Sequence, residues 1–393
     1  MATTAAAEIT AAANSEIGKG DILNENLRLC CPCHFGLESV LKYEILKIGG
    51  TDLKVSDGKI SFSGDENVLA RANLCLATAE RVLIELIEFR ATSFEELFQG
   101  VKAVELERFI GPKDAFPVKG HSLNSALHSV PDCQSIVKKA AVERLKEKYG
   151  ISWFEETGAP VQIKFSIMKD IVSLYLDTSG TGLHKRGYRR NSNAAPIKET
   201  LAAGIVDLAR VRPDSIVCDP FCGSGTILIE AALKALKIAP GINRRFAAEK
   251  WECFGSKIWQ EERSRAIDSV DRSAEFHAIG SDIEDAAVAL ALDNAHKAGI
   301  KSRVKIEQAD ISSFRHPENS IVICNPPYGE RLLELREAEE IYRRMGKVLG
   351  KGGSRQSYII SPHEQFEQFF GANAGKRRKL YNGMIKCQLY MYF

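Results

Sequence analysis

The sequence predicts an α/β protein whose second half forms a doubly wound, mostly parallel sheet. Three observations predict it. From Leu27 onward, apolar segments of period two alternate with segments of helical period. After about residue 196 the pattern becomes a regular strand–helix–strand series, which is typical of parallel sheets covered by helices. Near the end, Asn382-Gly383 separates two apolar runs, which indicates a hairpin that adds an antiparallel strand at the sheet edge.

The front half is predicted to contain small α/β units. The expected elements are strand "LRLCCPCHF", helix "GLESVLKYEILKIGG", strand "GKISFSGD", helix "ENVLARANLCLATAE", the apolar run "RVLIELIEF", helix "SFEELFQGVKAV", strand "DAFPVKGHS", helix "SIVKKAAVERLKEKYG", and strands "VQIKFSIMKD" and "IVSLYLD". The helix "SFEELFQGVKAV" begins with a Ser-x-x-Glu capping signal. This half carries no phosphate loop and no apparent catalytic group.

The back half is predicted to begin with a helix and then to alternate. The expected elements are helix "APIKETLAAGIVDLA", strand "SIVCD", a glycine turn, helix "GTILIEAALKAL", an irregular stretch over about 237–274, strand "FHAIGSD", helix "EDAAVALALDNAHKAG", strands "VKIEQAD" and "SIVIC", helix "REAEEIYRRMGKVLG", strand "QSYIIS" and the final hairpin. Such a series favours a parallel sheet with helices on both faces.

Length, composition and charge set limits on the class of protein. The 393 residues are 45% hydrophobic, which suits a globular chain of two or three domains. The sequence has no apolar run long enough to predict a membrane span. Residues 1–26, rich in Ala, lack the basic and apolar segments of a secretory signal and are predicted to be a disordered tail. A formal net charge of +2 excludes a highly basic nucleic-acid coat but not a local basic surface.

The cysteine and histidine pattern does not predict a metal site. The chain has 10 Cys, of which Cys30, Cys31 and Cys33 form a cluster without a second pair at zinc-ribbon spacing. His121 and His128 lack a third ligand. Buried, reduced thiols are therefore expected, which suits a cytoplasmic protein.

The segment "CDPFCGSGT" places a glycine turn between a strand and a helix. Gly223 and Gly225 would let the backbone approach a ligand closely. The turn lacks the lysine of a phosphate loop, and Leu228 stands where a dinucleotide fingerprint needs glycine. Asp219 precedes the glycines, where it would repel a pyrophosphate but suits a cationic ligand. A structural turn is the alternative for the glycines alone.

Two further acids end later strands of the predicted sheet. Asp282 ends "FHAIGSD" and Asp310 ends "VKIEQAD". Ligands of doubly wound sheets lie beyond the carboxyl ends of the strands. An acid after the second strand can accept both ribose hydroxyls, and one after the third can accept from adenine N6. Each Asp alone is more often a helix cap or a loop residue, but together with Asp219 they favour an adenosyl ligand.

The segment "NPPYGERL" follows the fourth strand and faces the same crevice. An exocyclic base amine is a poor nucleophile because its lone pair is delocalised, so methylation requires it to be held in line. The Asn325 side-chain oxygen and the Pro326 carbonyl can accept its hydrogens, and Tyr328 can stack on the base. A turn stiffened by Pro326 and Pro327 is the alternative.

Three motifs together resemble a known family. They are "GLHKRGYR…APIKETLAA", "DPFCGSGTILIEAA" and "NPPYGERL". The chain resembles the class I S-adenosylmethionine-dependent RNA methyltransferases that carry a THUMP domain, and most of all the bacterial 23S rRNA guanine-N2 methyltransferases. The resemblance implies a ferredoxin-like part over 27–69, a THUMP RNA-binding domain over 70–178, a linker over 179–195, and a Rossmann-like methyltransferase domain over 196–393. It also implies the form that lacks the second methyltransferase domain fused in some relatives.

The resemblance also implies roles for individual residues. The methionine end of S-adenosylmethionine would be bordered by Asp219, Cys222, Gly223, Gly225 and Thr226. Its amino-acid end would be covered by Pro196, and its ribose and adenine would be contacted by Asp282, Ile283, Asp310 and Ile311. The target base would be held by Asn325, Pro326, Pro327 and Tyr328. Substrate RNA would be bound by the basic linker residues Lys185, Arg186, Tyr188 and Arg189.

Four readings of the function remain open from the sequence. The preferred one is methylation of guanine N2 in 23S rRNA, where the family's usual target is guanine 2445. The others are guanine-N2 methylation of tRNA, methylation of a DNA adenine or cytosine amine, and a non-catalytic RNA-binding or ribosome assembly factor. The large front half and the basic linker argue against DNA, and the intact motifs argue against a non-catalytic role. The expected partner is RNA, without a membrane or a metal.

Overall fold

The computed structural model describes residues 26–189, 197–329, 332–349 and 356–393, and within them two seven-stranded sheets. The predicted tail, apart from its last residue, and the predicted cofactor residue Pro196 lie outside these ranges. Both halves combine strands with helices, so the predicted α/β class is confirmed.

The front sheet has the strand order β2-β3-β1-β4-β7-β6-β5. Its elements are β1 (Leu27–Pro32), α1 (Glu38–Lys47), β2 (Thr51–Ser56), β3 (Lys59–Gly64), α2 (Glu66–Cys75), β4 (Leu83–Arg90), α3 (Phe94–Lys102), β5 (Val118–Leu123), α4 (Val130–Tyr149), β6 (Gln162–Met168) and β7 (Ile171–Asp177). Only β5 and β6 pair in parallel; β1 pairs with β4 and so joins the two predicted front units in one sheet.

The back sheet has the order β10-β9-β8-β11-β12-β14-β13. Its elements are α5 (Glu199–Leu208), β8 (Ile216–Asp219), α6 (Thr226–Ala235), α7 (Ser256–Asp268), β9 (His277–Asp282), α8 (Asp285–Lys297), β10 (Val304–Gln308), β11 (Ser320–Cys324), α9 (Leu332–Leu349), β12 (Gln356–Ser361), α10 (Phe366–Phe370), β13 (Lys376–Asn382) and β14 (Ile385–Tyr392). β8 to β12 pair in parallel, whereas β14 pairs antiparallel with β12 and with β13. The predicted doubly wound sheet with a terminal antiparallel hairpin is confirmed.

Local sequence signals explain several helix ends. α3 begins with the predicted capping box, in which Ser93 and Glu96 each accept a hydrogen bond from the other's backbone N–H. α4 ends at Gly150, which has a left-handed φ of 65° that glycine adopts without strain. Because these signals are short-range, they can be read directly from the sequence.

The stretch 237–274, predicted to be irregular, contains helix α7, and that prediction is wrong. The helix has few apolar residues, and its buried face includes Trp259 and Ala266. It packs against α2. Glu262 of α7, almost fully buried, forms an ion pair with Arg71 of α2 at 2.6 Å. Because this pairing joins residues far apart in the chain, a local pattern could not reveal the helix. Strand β2, also unpredicted, is an exposed edge strand whose sequence shows no buried face.

The two sheets are joined by shared packing around helix α1. Leu37 and Val40 belong to the hydrophobic core of the back sheet rather than to that of the front sheet. Gly204 of α5 leaves room for this contact, because a Cβ there would lie 2.3 Å from Leu37 Cδ1. Glu80 adds polar contacts between the two halves, because it pairs with His34 of the front half at 3.1 Å and with Lys198 of the back half at 3.2 Å.

The described residues also bear on membrane spans, metal-binding groups and the state of the cysteines. Within the described ranges, no helix is long and apolar enough to cross a membrane, and no group of three or more His, Cys, Asp or Glu could hold a metal ion. All ten cysteines are free thiols, and eight of them are buried. Burial raises the pKa of the Cys30 thiol to about 11, so it stays protonated near neutral pH.

Candidate active site

The candidate active site lies at the carboxyl ends of β8, β9, β10 and β11. β8 has β9 on one side and β11 on the other, so the chain reverses its winding direction at this point. Ligands of doubly wound sheets bind in the crevice that such a reversal opens. The strand ends carry Asp219, Asp282 and Asn325, and Asp310 follows β10.

The glycine turn after β8 is open toward the crevice. Gly223 has a φ of +50°, and a Cβ built there would meet nothing within 4 Å. Gly225 has a φ of +77° and precedes α6, where a Cβ would come within 3.1 Å of Ala291. Asn294 of α8 donates to the Ser224 carbonyl at 2.9 Å and so holds the turn against α8. The first glycine therefore leaves space for a ligand, and the second permits close packing of the helix.

Asp219 is a buried carboxyl group without a charged partner in the hydrogen bonds described. Its side chain is 1% exposed and accepts from the Phe221 backbone N–H at 3.0 Å. Burial, opposed by that hydrogen bond and reinforced by nearby Asp282, raises its pKa to about 8. A positive charge bound in the crevice would favour the ionised carboxylate, so the site suits a cationic ligand.

Asp282 is held in place by the glycine turn itself. Its Oδ2 accepts from the Gly223 backbone N–H at 2.9 Å, and its Oδ1 accepts from the Glu284 N–H at 3.1 Å. The adjacent Ile283 is 64% exposed, which is unusual for a large apolar side chain. The carboxylate and the apolar surface next to it fit a ribose and the face of an attached ring.

Asp310 is engaged by an arginine that the sequence analysis did not identify. It caps the short turn that follows, accepting from the Ser312 N–H at 2.9 Å, and it pairs with Arg344 of α9 at 3.0 Å. The Ser312 backbone N–H and the Arg344 guanidinium both lower the pKa of Asp310. Ile311 is 3% exposed and belongs to the core. The predicted contact of these two residues with adenine remains a prediction.

The Asn-Pro-Pro-Tyr segment folds back on itself after β11. The Tyr328 hydroxyl donates to Asn325 Oδ1 at 2.5 Å, and Asn382 Nδ2 donates to that hydroxyl at 3.3 Å. The buried Tyr342 of α9 donates to the Pro327 carbonyl at 3.0 Å. One of the two predicted acceptors, Asn325 Oδ1, is thus already engaged by the protein's own tyrosine.

The linker residues predicted to bind RNA lie mostly inside the protein. Arg186 and Tyr188 are 5% and 4% exposed, and both contact Glu230 of α6, Arg186 at 3.3 Å and Tyr188 at 2.9 Å. Arg186 supplies the ionic partner that the buried Glu230 carboxylate requires. Burial leaves both side chains little surface to offer a ligand, and their contact with RNA remains a prediction. Arg189 donates to Thr226 at 3.2 Å and pairs with Glu199 at 3.0 Å, and Lys185 is exposed.

Through these contacts the linker packs against α6, the helix that follows the glycine turn.

Three residues at the site were not predicted from the sequence: Tyr342, Arg344 and Asn382. The periodicity of α9 predicts a helix but assigns no role to Tyr342 or Arg344, and the Asn-Gly signal predicts only a turn at Asn382. The one signal available in the sequence is that α9 directly follows the Asn-Pro-Pro-Tyr segment.

Fold and site together define a class, that of α/β domains which bind an adenosyl ligand next to a segment able to hold an amine. Within that class, the chain belongs to the RMKL-like methyltransferase family. The model of the RMKL-like methyltransferase domain matches residues 186–391, that of the RlmL ferredoxin-like domain matches 28–83, and that of the THUMP domain matches 91–177.

Two curated relatives extend over nearly the whole described chain. "Putative RNA methyltransferase YpsC" of Bacillus subtilis (strain 168) is 43% identical over 361 residues, which cover 91% of this chain and 94% of that protein. "Ribosomal RNA large subunit methyltransferase K/L" of Shewanella baltica (strain OS155 / ATCC BAA-1091) is 31% identical over 369 residues, 91% of this chain but 52% of that protein. The chain therefore spans about half the length of the K/L enzyme.

Solved structures agree in fold. A possible methylase from Clostridium difficile 630 superimposes with a TM-score of 0.91 at 40% identity, covering 94% of this chain and 98% of that one. A protein from Listeria monocytogenes described as a "predicted N6-adenine-specific DNA methylase" gives 0.89 at 42% identity, with coverage of 94% and 96%. A structure described as "SMU.472, a putative methyltransferase complexed with SAH" gives 0.89 at 37% identity, with coverage of 94% and 98%.

Proposed function

We propose that this protein is an S-adenosylmethionine-dependent RNA methyltransferase that modifies the exocyclic N2 of a guanine in 23S rRNA, with guanine 2445 as the expected target. The observation that carries the proposal is the position of the Asn325–Tyr328 segment, which shares one crevice with the open glycine turn and Asp282. The RNA class of substrate is supported by the THUMP match over 91–177 and by the RNA named for both curated relatives.

The residues on the cofactor side would position an adenosyl ligand. When bound, S-adenosylmethionine supplies an electrophilic methyl group on a positively charged sulfur. Asp282, already oriented by the Gly223 N–H, would accept from the ribose hydroxyls, and Ile283 would cover the adenine. Asp219 would lie near the cationic end, where a positive charge lowers the cost of ionising its buried carboxyl.

The residues on the base side would hold the target amine in line with the methyl group. Asn325 Oδ1 and the Pro326 carbonyl would each accept one amine hydrogen, which localises the nitrogen lone pair for attack. The Tyr328 hydroxyl, which donates to Asn325 at 2.5 Å, would compete with the amine hydrogen for an oxygen that can accept two hydrogen bonds. The Tyr328 ring would stack on the base. No strong base is required, because the methylated amine releases its proton readily to water.

The front sheet would grip folded RNA, and the target base would leave its stack to enter the crevice. We propose the units 27–69 for the ferredoxin-like part, 70–178 for the THUMP domain and 196–393 for the methyltransferase domain, joined by the linker 179–195. We also propose a cytoplasmic location, which the ten unpaired thiols favour because a reducing compartment keeps cysteines free.

The test is transfer of a radiolabelled methyl group from S-adenosylmethionine to unmodified transcripts of 23S rRNA and tRNA and to duplex DNA. We expect label in 23S rRNA, and nucleoside mass spectrometry of that RNA should show N2-methylguanosine. Label in tRNA alone would replace the substrate, and label in DNA as N6-methyladenine would replace the chemistry. If no nucleic acid is labelled although the cofactor binds, the protein is an RNA-binding factor and the proposal is wrong.

A further inference from the structure

The tip of the C-terminal hairpin, formed by β13 and β14, lies against the base side of the active site. Asn382, the last residue of β13, donates to the Tyr328 hydroxyl at 3.3 Å, and Cys387 of β14 has its sulfur 3.9 Å from the same oxygen. β13 lies at the edge of the back sheet with β14 next to it, and Asn382 and Cys387 lie on the face that also carries the buried Leu380. The opposite face of the same tip is formed by the intervening residues of both strands.

That opposite face combines lysines with an aromatic ring. On β13, Lys379 and Tyr381 are two positions apart and therefore lie on the same face of the strand. Lys386 of β14 lies directly opposite Tyr381 in the strand register. The Lys379 ammonium nitrogen is 5.3 Å from the centre of the Tyr381 ring. Phe35, in the turn between β1 and α1, contacts the same ring edge-on, with ring centres 5.9 Å apart. The two sheets thus contribute jointly to one surface.

The apolar members of this surface are exposed to an unusual degree. Phe35 is 53% exposed, and Met384, in the two-residue turn of the hairpin, is 98% exposed. A hairpin turn has no structural need for methionine, since polar residues and glycine suit such turns better. Exposed large apolar groups beside a binding crevice are typical of a surface that contacts a ligand.

The lysines carry charge that the protein does not neutralise. Across the described residues, no acidic side chain lies within ion-pair distance of Lys379 or Lys386, although both are exposed. Their neighbour Arg377, by contrast, is paired with Glu367. The surface thus places unpaired lysine ammonium groups next to aromatic rings that can stack on bases. An unpaired nucleic-acid strand presents phosphates and bases in alternation, so its chemistry matches this surface.

We propose that Phe35, Lys379, Tyr381, Met384 and Lys386, the hairpin patch, bind the unpaired RNA strand that flanks the target base. Lys379 and Lys386 contact backbone phosphates, and Tyr381 offers a face for a neighbouring base. This inference rests on the proposed function for the identity of the nucleic acid. It adds a second RNA-contacting surface to the one expected of the front sheet, and it assigns the patch to the strand next to the flipped base.

The first test is the double variant Lys379→Ala/Lys386→Ala, measured as affinity for an unmodified 23S rRNA transcript over a range of salt concentrations. Loss of two phosphate contacts to a single strand should lower the slope of log K against log salt by about 1.4. The control is Lys301→Ala/Lys305→Ala, which removes the same formal charge from exposed lysines at the opposite end of the back sheet, where Lys305 pairs with Glu307 at 3.2 Å. Equal slopes for the two double variants would overturn the inference.

The second test separates stacking from charge. Tyr381→Leu keeps an apolar side chain but removes the ring, and it should weaken RNA binding about five- to hundredfold at constant salt. Cofactor affinity and thermal melting should equal those of the wild type, because a purely structural defect would move both. RNA affinity unchanged in Tyr381→Leu would overturn the stacking role.

The failure of this inference is distinguishable from failure of the proposed function. If the wild type transfers no methyl group to any RNA, the proposed reaction is wrong, and the salt slopes still decide whether the hairpin patch binds RNA. If the wild type transfers normally and the patch variants bind and transfer as it does, the reaction stands and the patch is not an RNA contact. An affinity loss confined to the patch variants supports the inference.

Discussion

On the cofactor side of the active site the ligand-facing backbone is open, whereas on the base side the key acceptor is already engaged by the protein. Gly223 borders free space, and Asp282 is fixed by two backbone N–H groups. Asn325, by contrast, accepts from Tyr328, whose hydroxyl is also contacted from the C-terminal hairpin. Under the proposed function, the cofactor would enter a prepared site, whereas the base would compete with a protein group for Asn325 Oδ1. The two sides should therefore respond to substitution independently.

The largest effect is expected from Asn325→Ala. Removal of the side-chain acceptor should lower the rate of methyl transfer about 100- to 1000-fold, because a positioned group that acts in the transition state contributes on this scale. Cofactor affinity, measured by calorimetry, should stay within a few-fold. The reciprocal variant Asp282→Ala should weaken cofactor binding and leave RNA affinity intact. Parallel loss of cofactor binding in Asn325→Ala would show that the two sides are not separate.

A smaller effect of opposite sign is expected from Tyr328→Phe. The ring stays available for stacking, but no hydroxyl competes for Asn325 Oδ1, so the substrate need not displace a hydrogen bond worth about 1 kcal/mol. The Michaelis constant for RNA should fall about two- to fivefold. Tyr392→Phe, which removes a hydroxyl bonded to the Ala372 carbonyl far from the crevice, is the control. A Tyr328→Phe enzyme that binds RNA more weakly would refute the competition.

The smallest effect is expected on stability, from Asp219→Asn. The folded-state pKa of Asp219 is raised to about 8, so the folded protein holds a proton that the unfolded chain releases near pH 4. Its contribution to stability is therefore present below pH 4 and is lost as the pH rises to 8. The variant should melt above the wild type at pH 8, with the difference vanishing toward pH 4.

Asp214→Asn, an exposed Asp near the start of β8, is the control for this substitution. The pH dependence of the Asp219→Asn melting difference is measured against that of this variant. Since the cofactor carries positive charge, it should also bind Asp219→Asn more weakly than the wild type. A melting difference that is constant from pH 4 to pH 8 would mean that Asp219 is ionised in the unliganded protein.

Local sequence signals predicted the parts of the site that are contiguous in the chain. The glycine turn with Asp219, the acid that ends β9 and the Asn-Pro-Pro-Tyr segment each sit in a few consecutive residues, and strand–helix alternation dictates that their ends converge. The capping box of α3 and the final hairpin were predicted for the same reason.

The sequence did not predict contacts between distant residues. Arg186 and Tyr188 looked like a basic surface because Glu230, which draws them inside, lies 42 or more positions away in an apolar helix. The pairing of Arg344 with Asp310 and of Asn382 with Tyr328 likewise spans 34 and 54 positions. Helix α7 depends on Arg71 in the other half of the chain. Burial and ion pairing at such separations depend on the packing of whole elements.

The contact between Leu37 and Gly204 has a geometric consequence for substrate choice. Because the first helix of the front unit is packed into the core of the back sheet, the separation between the front sheet and the Asn325 segment is fixed by close packing rather than by a hinge. A side chain at position 204 would push the two units apart. If the front sheet binds RNA as proposed, this fixed separation would select the nucleotide that reaches the crevice by its distance along the folded RNA from that binding point.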